Sequence, residues 1–149
     1  MSATALGTGT GPAKPPAVRT LAVGFDGSVD AEAALRWGAR LARQLGAEVV
    51  AVHAVGLLEH TRPAAGVEAL EATVRRIGAE ELVAPREIGW RVADGDPVSV
   101  LLRVGADLGA DLLVVGSRGQ GAHPGLLLGS TSLELAEHAE VPLLVVPSP

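Results

Sequence analysis

The sequence predicts an α/β domain built as an open, doubly wound parallel sheet of five strands with helices on both faces. Three observations carry that prediction. Short segments that are apolar on both faces alternate with longer ones whose apolar residues recur at i, i+3 and i+4, in the order βαβαβαβαβ. Capping residues and glycines bracket the helical segments, so the alternation is punctuated where such a domain requires it. A chain of 149 residues that is 48% hydrophobic suits one core, because a domain of that size buries roughly 70% of the surface its unfolded chain exposes.

Residues 1–18 read as a flexible tail: Met1 to Ala17 is rich in Gly, Thr, Ala and Pro and offers too little apolar surface to offset the entropy of ordering it. A single domain is expected over 19–149. Thr20 to Val23 is a short apolar strand, and Gly24 to Ser28 turns it into a helix with Ala31, Ala34, Leu35, Gly38, Leu41, Ala42 and Leu45 on its inner face. Ser28 is its expected N-cap and Gly46 its stop. Glu48 to Val55 is the second strand, followed by a loop from Gly56 to Ala65 that contains Pro63 and is placed to lie over a site. Val67, Leu70, Val74 and Ile77 mark the second helix, and Glu87 to Ala93, with Trp90 inside it, the third strand. Asp96 as N-cap, Pro97 at the first helical position and Gly109 after the last frame a third helix that turns Leu101, Leu102, Gly105 and Leu108 inward. A fourth strand over Asp111 to Val115, a helix from Ser130 to Glu140 and a last strand over Leu143 to Val146 complete the chain. Trp37 and Trp90 are expected in the core or at an interface.

Composition narrows the function. The formal net charge is −5 without any run of Lys or Arg, Tyr is absent and Phe25 is the only phenylalanine, so neither the basic footprint nor the stacking platform of a nucleic-acid binder is present. Nucleic acid is not an expected partner. Absence of cysteine excludes disulfides, thiol catalysis and cysteine-ligated metal centres. No stretch approaches the roughly 18 unbroken apolar residues of a spanning helix, and no leader pattern opens the chain, so the expectation is a cytoplasmic protein without membrane attachment. His53 reads as a core or rim residue, while His60, His123 and His138 lack ligand spacing, and no protein-held metal is expected.

The chemistry concentrates in Gly116-Ser117-Arg118-Gly119, the nine residues Gln120 to Leu128, and Gly129-Ser130-Thr131-Ser132. Glycines fall where a strand ends and where the next helix begins. A helix N-terminus offers unpaired N–H groups and about half a positive charge, and glycine lets the main chain approach an anion unobstructed. Lys14 is the only lysine and lies in the tail, so a P-loop is excluded and phosphates would be met by backbone amides, the hydroxyls of Ser130 and Thr131, and Arg118, with Ser117 alongside. Gly24, Ala54 and Val115, at strand ends, would wall a purine ring. Each residue has a plainer reading as well: Gly116 and Gly119 as turn glycines with positive φ, Asp26 as a turn carboxylate, Arg118 as a solvated loop residue.

Gly116-x-x-Gly119, nine residues, then Gly129-Ser130 resembles the ATP-binding signature of the universal stress protein family. The likeness runs from Arg19 to Pro147 and includes Gly24-Phe25-Asp26-Gly27-Ser28 and Val141-Pro142-Leu143-Leu144-Val145-Val146. It implies the strand order 3-2-1-4-5, with Asp26 beside the nucleoside, Ala54 against adenine, and the Gly116 to Ser130 clamp on ribose and phosphates. ATP or another adenine nucleotide is the implied ligand. A magnesium ion carried in with its phosphates would keep its waters and need only a carboxylate such as Asp26. The same resemblance implies a homodimer through the last strand, Leu143, Leu144, Val145 and Val146, which is apolar on both faces and lacks the lysine or central proline that guards an edge. Only Asp26, Arg118 and His123 are candidates for hydrolysis, and they form no coherent catalytic set. The expected function is a nucleotide-responsive regulatory module of the stress response, with slow or no turnover and a protein partner that the sequence does not name. A genuine ATPase or nucleotidyl-transferring enzyme, and a dimeric interaction domain that binds no nucleotide, are the alternatives.

Overall fold

A computed structural model of the chain describes residues 17–56, 65–119 and 128–149. Five strands and four helices alternate: β1 (Thr20–Gly24), α1 (Val29–Leu45), β2 (Glu48–Val55), α2 (Ala65–Glu81), β3 (Gly89–Asp94), α3 (Pro97–Leu108), β4 (Leu112–Gly116), α4 (Ser130–His138) and β5 (Leu143–Val146). Every pairing is parallel and the sheet runs β3-β2-β1-β4-β5. The predicted fold class and strand order are therefore both present. β3 begins at Gly89 rather than Glu87, because Ile88 turns into the core before the strand starts. α4 ends at His138 rather than Glu140, where Ala139 already has an extended backbone.

Alternation along the strands divides the core into two layers. Leu21 and Val23 of β1, with Val114 of β4, face Ala34, Leu35 and Ala39 of α1 and Val74 and Ile77 of α2. Ala22, Val52, Leu113 and Val115 face Val100 and Leu101 of α3 and Leu135 of α4. β5 serves both layers, Leu144 and Val146 contributing to the first and Leu143 and Val145 to the second. Val18 already packs against the first layer, and Asp111 accepts the Arg19 and Thr20 amides at 2.8 and 3.1 Å, which fixes the entry to β1.

The helix ends follow the sequence signals. Ser28 Oγ accepts the Ala31 amide and Asp96 accepts that of Ser99, while Gly46 and Gly109 close their helices in the left-handed region that a side chain would resist. The Ser99 amide also holds the Asp96 carboxyl below the usual aspartate range. α1 and α2 are locked together by Glu81, which takes Arg40 at 2.7 and 3.0 Å and Arg36 at 3.0 Å. Those partners, Arg40 foremost, lower the Glu81 carboxyl below the ordinary glutamate range. Of the two places expected for Trp37, the core is excluded, since it is 58% exposed on α1. Its position falls outside the 31, 34, 35, 38, 39, 42 stripe, so helical geometry turns it out whatever its hydrophobicity. Trp90 is half-buried, stacked on His53 with ring centroids 6.1 Å apart and edge-on to Phe25 at 6.4 Å.

Candidate functional site

β1 lies between β2 and β4, which makes its C-terminal end the point where the strand order reverses and where open α/β sheets place a ligand crevice. One wall is the segment from Phe25 to Ser28, and the other is Ser117 to Gly119 with the start of α4. The two glycine corners meet. The Gly129 amide donates to the Ser117 carbonyl at 2.6 Å, and Ser132 Oγ donates to the Gly116 carbonyl at 2.9 Å. A side-chain carbon built on Gly129 would lie 3.4 Å from Arg118 Cα, and one on Gly119 would lie 3.1 Å from Asp26 Oδ2. The half-buried Asp26 thus abuts the glycine corner, while its Oδ1 accepts the Ser28 amide at 2.9 Å as a turn carboxylate does.

Gly116 is glycine for a reason the sequence did not disclose. Neither it nor Gly119 has positive φ; among the described residues that conformation belongs to Gly27, Gly46, Gly95 and Gly109. A methyl group at Gly116 would instead sit 2.7 Å from the carbonyl oxygen of Asp30, in the first turn of α1. Close approach of helix to strand end is what excludes a side chain. Gly24 is crowded in turn by Leu101 at 2.9 Å and Val115 at 3.3 Å from where its Cβ would be. Gly24, Ala54 and Val115 occupy the ends of β1, β2 and β4, and Ala54 and Val115 belong to the layer beneath α3 and α4.

Several donors in this region are already committed. Ser117 N–H pairs with the Val146 carbonyl, Arg118 N–H with Asp30 Oδ2 at 3.1 Å, and Gly129 N–H with Ser117. Of the amides first counted as an anion receptor, these three therefore point into the protein. α4 is different: Gly129 is its N-cap with no side-chain cap, and its first intrahelical bond runs from the Leu133 amide, which leaves the Ser130, Thr131 and Ser132 amides ahead of the helical ladder. Ser130 is exposed and Thr131 half-buried at that end. Arg118 is not a solvated loop arginine, since its guanidinium bonds Ser148 Oγ at 2.7 and 3.2 Å and lies 3.7 Å from Asp30. Asp30 and Ser148 lie outside the glycine motif that marks the site in the sequence. His53 is buried, 2% exposed, with Nδ1 2.9 Å from the Phe25 carbonyl oxygen. The loop carrying His60 and Pro63 and the segment Gln120 to Leu127 with His123 lie outside the described residues. Among the described residues, no cluster of three metal-ligating side chains occurs and no helix is long and apolar enough to cross a membrane.

The sequence profile described as the universal stress protein family matches residues 17–147. This chain belongs to the universal stress protein family. A universal stress protein of Mycolicibacterium smegmatis is 35% identical over 133 residues, which are 83% of this chain and 44% of that protein. One from Thermus aquaticus is 31% identical over 135 residues, 86% of this chain and 98% of its own length. The chain thus spans less than half of its mycobacterial relatives and nearly all of the Thermus one. Among solved structures, a universal stress protein in complex with cAMP superposes with a TM-score of 0.71 at 28% identity, covering 90% of this chain and all of that one. The five-stranded order observed here is the universal stress protein fold.

Proposed function

We propose that this universal stress protein binds an adenine nucleotide in the crevice between β1 and β4 and acts as a nucleotide-responsive regulatory module. The observation that carries the reading is the junction of the two glycine corners, opposite Asp26, with the uncapped first turn of α4 at its rim. Unpaired amides at a helix start favour an anion, and the hydroxyls of Ser130 and Thr131 add donors at the same place. The half-buried Gly24 and Ala54, backed by the buried Val115, would give the base a small aliphatic wall, with Asp26 placed beside the sugar. It also suits a magnesium ion that arrives with the phosphates, since that ion keeps most of its waters and needs one or two carboxylates. A relative in complex with cAMP supports the adenine class, and the family signature favours ATP within it. No set of side chains among the described residues matches a hydrolytic mechanism, so binding with slow or no turnover is the reading, in service of a stress response through a protein partner.

Titration calorimetry and thermal denaturation with ATP, AMP and cAMP test it. At a hundredfold its dissociation constant the bound nucleotide is expected to add about 2.7 kcal/mol to the unfolding free energy. Melting curves that none of the three nucleotides shifts would defeat the proposal.

The same reading includes a homodimer. β5 is an edge strand whose residues Leu143 to Val146 are apolar on both faces, with no lysine or central proline to discourage pairing. Pairing with β5 of a second copy about a two-fold axis covers both edges at once. Light scattering at micromolar concentration should return twice the 15.1 kDa chain mass, and a single-chain mass there would refute the assembly.

A further inference from the structure

Arg118, Asp30 and Ser148 come from three distant parts of the chain and converge on one carboxylate oxygen. Asp30 Oδ2 accepts the Ser148 hydroxyl at 2.9 Å, the Arg118 amide at 3.1 Å and the Ser117 hydroxyl at 3.4 Å, and faces Arg118 Nε at 3.7 Å. The Ser148 hydroxyl in turn accepts from Arg118 Nε and Nη2 at 3.2 and 2.7 Å. The Asp30 side chain is only 12% exposed, so these donors stand in for lost water. Ser28 already caps α1, and Asp30 is therefore not needed for that purpose. Its partners all belong to the glycine corner or to the segment after β5.

The peptide plane between Ser117 and Arg118 shows what the cluster accomplishes. Its carbonyl end is held by the Gly129 amide and its N–H end by Asp30. With both ends tied, the plane cannot rotate and present a carbonyl oxygen to an incoming phosphate. We infer that Asp30 and Ser148 are positioning residues for the nucleotide crevice, with Arg118 acting as an inward strap on the glycine corner rather than as a phosphate ligand. This inference rests on the nucleotide reading above, but its structural half is measurable without any nucleotide.

The test uses Ser148→Ala and Ser148→Thr in the full chain, with Arg118→Ala as a third variant. Ser148 lies after the last strand, so its replacement leaves the core intact. Without nucleotide, hydrogen exchange at the Arg118 amide should accelerate about tenfold in Ser148→Ala, the factor that losing roughly 1.4 kcal/mol of local hydrogen bonding gives, and return to the original rate in Ser148→Thr. By calorimetry, Ser148→Ala should weaken ATP and AMP by the same factor, about five- to tenfold, with recovery in Ser148→Thr. Arg118→Ala should likewise weaken both nucleotides equally. Unchanged exchange in Ser148→Ala, failure of threonine to restore it, or a loss in Arg118→Ala that grows with the number of phosphates would each overturn the inference. If the unaltered chain binds neither ATP nor AMP, the nucleotide reading falls with the ligand role of these residues, and the exchange arm alone decides whether they hold the corner.

Discussion

Gly116→Ala is expected to destabilise the fold by about 3 kcal/mol, lowering the melting temperature by about 10 °C, whereas Gly129→Ala should cost less than about 1 kcal/mol. The contrast follows from what each added methyl group meets. At Gly116 it lands 2.7 Å from a carbonyl oxygen and 2.8 Å from the carbonyl carbon of Asp30, both main-chain atoms in a helix that cannot retreat without lifting off the sheet. At Gly129 the nearest atom is 3.4 Å away, an ordinary contact. Urea denaturation of the two variants measures the difference. Equal midpoints would mean that α1 is not wedged against the end of β4. Nucleotide affinity is expected to fall with Gly116→Ala as well, because moving α1 also moves the carboxylate that ties down the Arg118 amide.

Leu135→Ala is the second large effect, expected at about 3 kcal/mol within the range of 2–5 seen for buried leucines. Leu135 is fully buried against Val115, Leu101 and Leu113, and α4 is only nine residues long. A helix of that length has little stability of its own in water and depends on its packed face. Loss of the leucine side chain should therefore loosen the whole element, including the Gly129 and Ser132 bonds that bring its first turn to β4. The variant should show both a lower denaturation midpoint and weaker nucleotide binding, the latter persisting at temperatures where it is fully folded. Full-strength binding by the folded variant would separate α4 from the site.

The helices were readable because their signals are local. Ser28 and Gly46, and Asp96, Pro97 and Gly109, act within a few residues of the ends they define, and each sits where the sequence placed it. Strand order is a long-range property, and it came from the family resemblance rather than from periodicity. The glycine corners are legible as a motif, but positive φ is not what makes Gly116 or Gly119 a glycine. The reason for Gly116 is a helix 86 positions earlier in the chain, and no spacing within its own motif could disclose it. Asp30 left a faint trace: it falls four residues before Ala34 and eight before Gly38, so an acid stands in register with the buried stripe of α1. Ser148 left none, since a serine after a last strand is unremarkable until its hydroxyl is found between an aspartate and an arginine.

β1, the first strand among the described residues, is also the central strand of the sheet, which bears on how the fold is made. β1 gains β2 early, but its other neighbour, β4, arrives only after α2, β3 and α3 have been made. Until then one long edge of β1 stays open, and the two sides of the crevice have not met. Contacts across such separations form slowly, because chain closure must be achieved before they return any energy. The junction of the two glycine corners is thus among the last features to assemble during synthesis, and a chain interrupted before β4 would display the apolar middle of its own sheet to its surroundings.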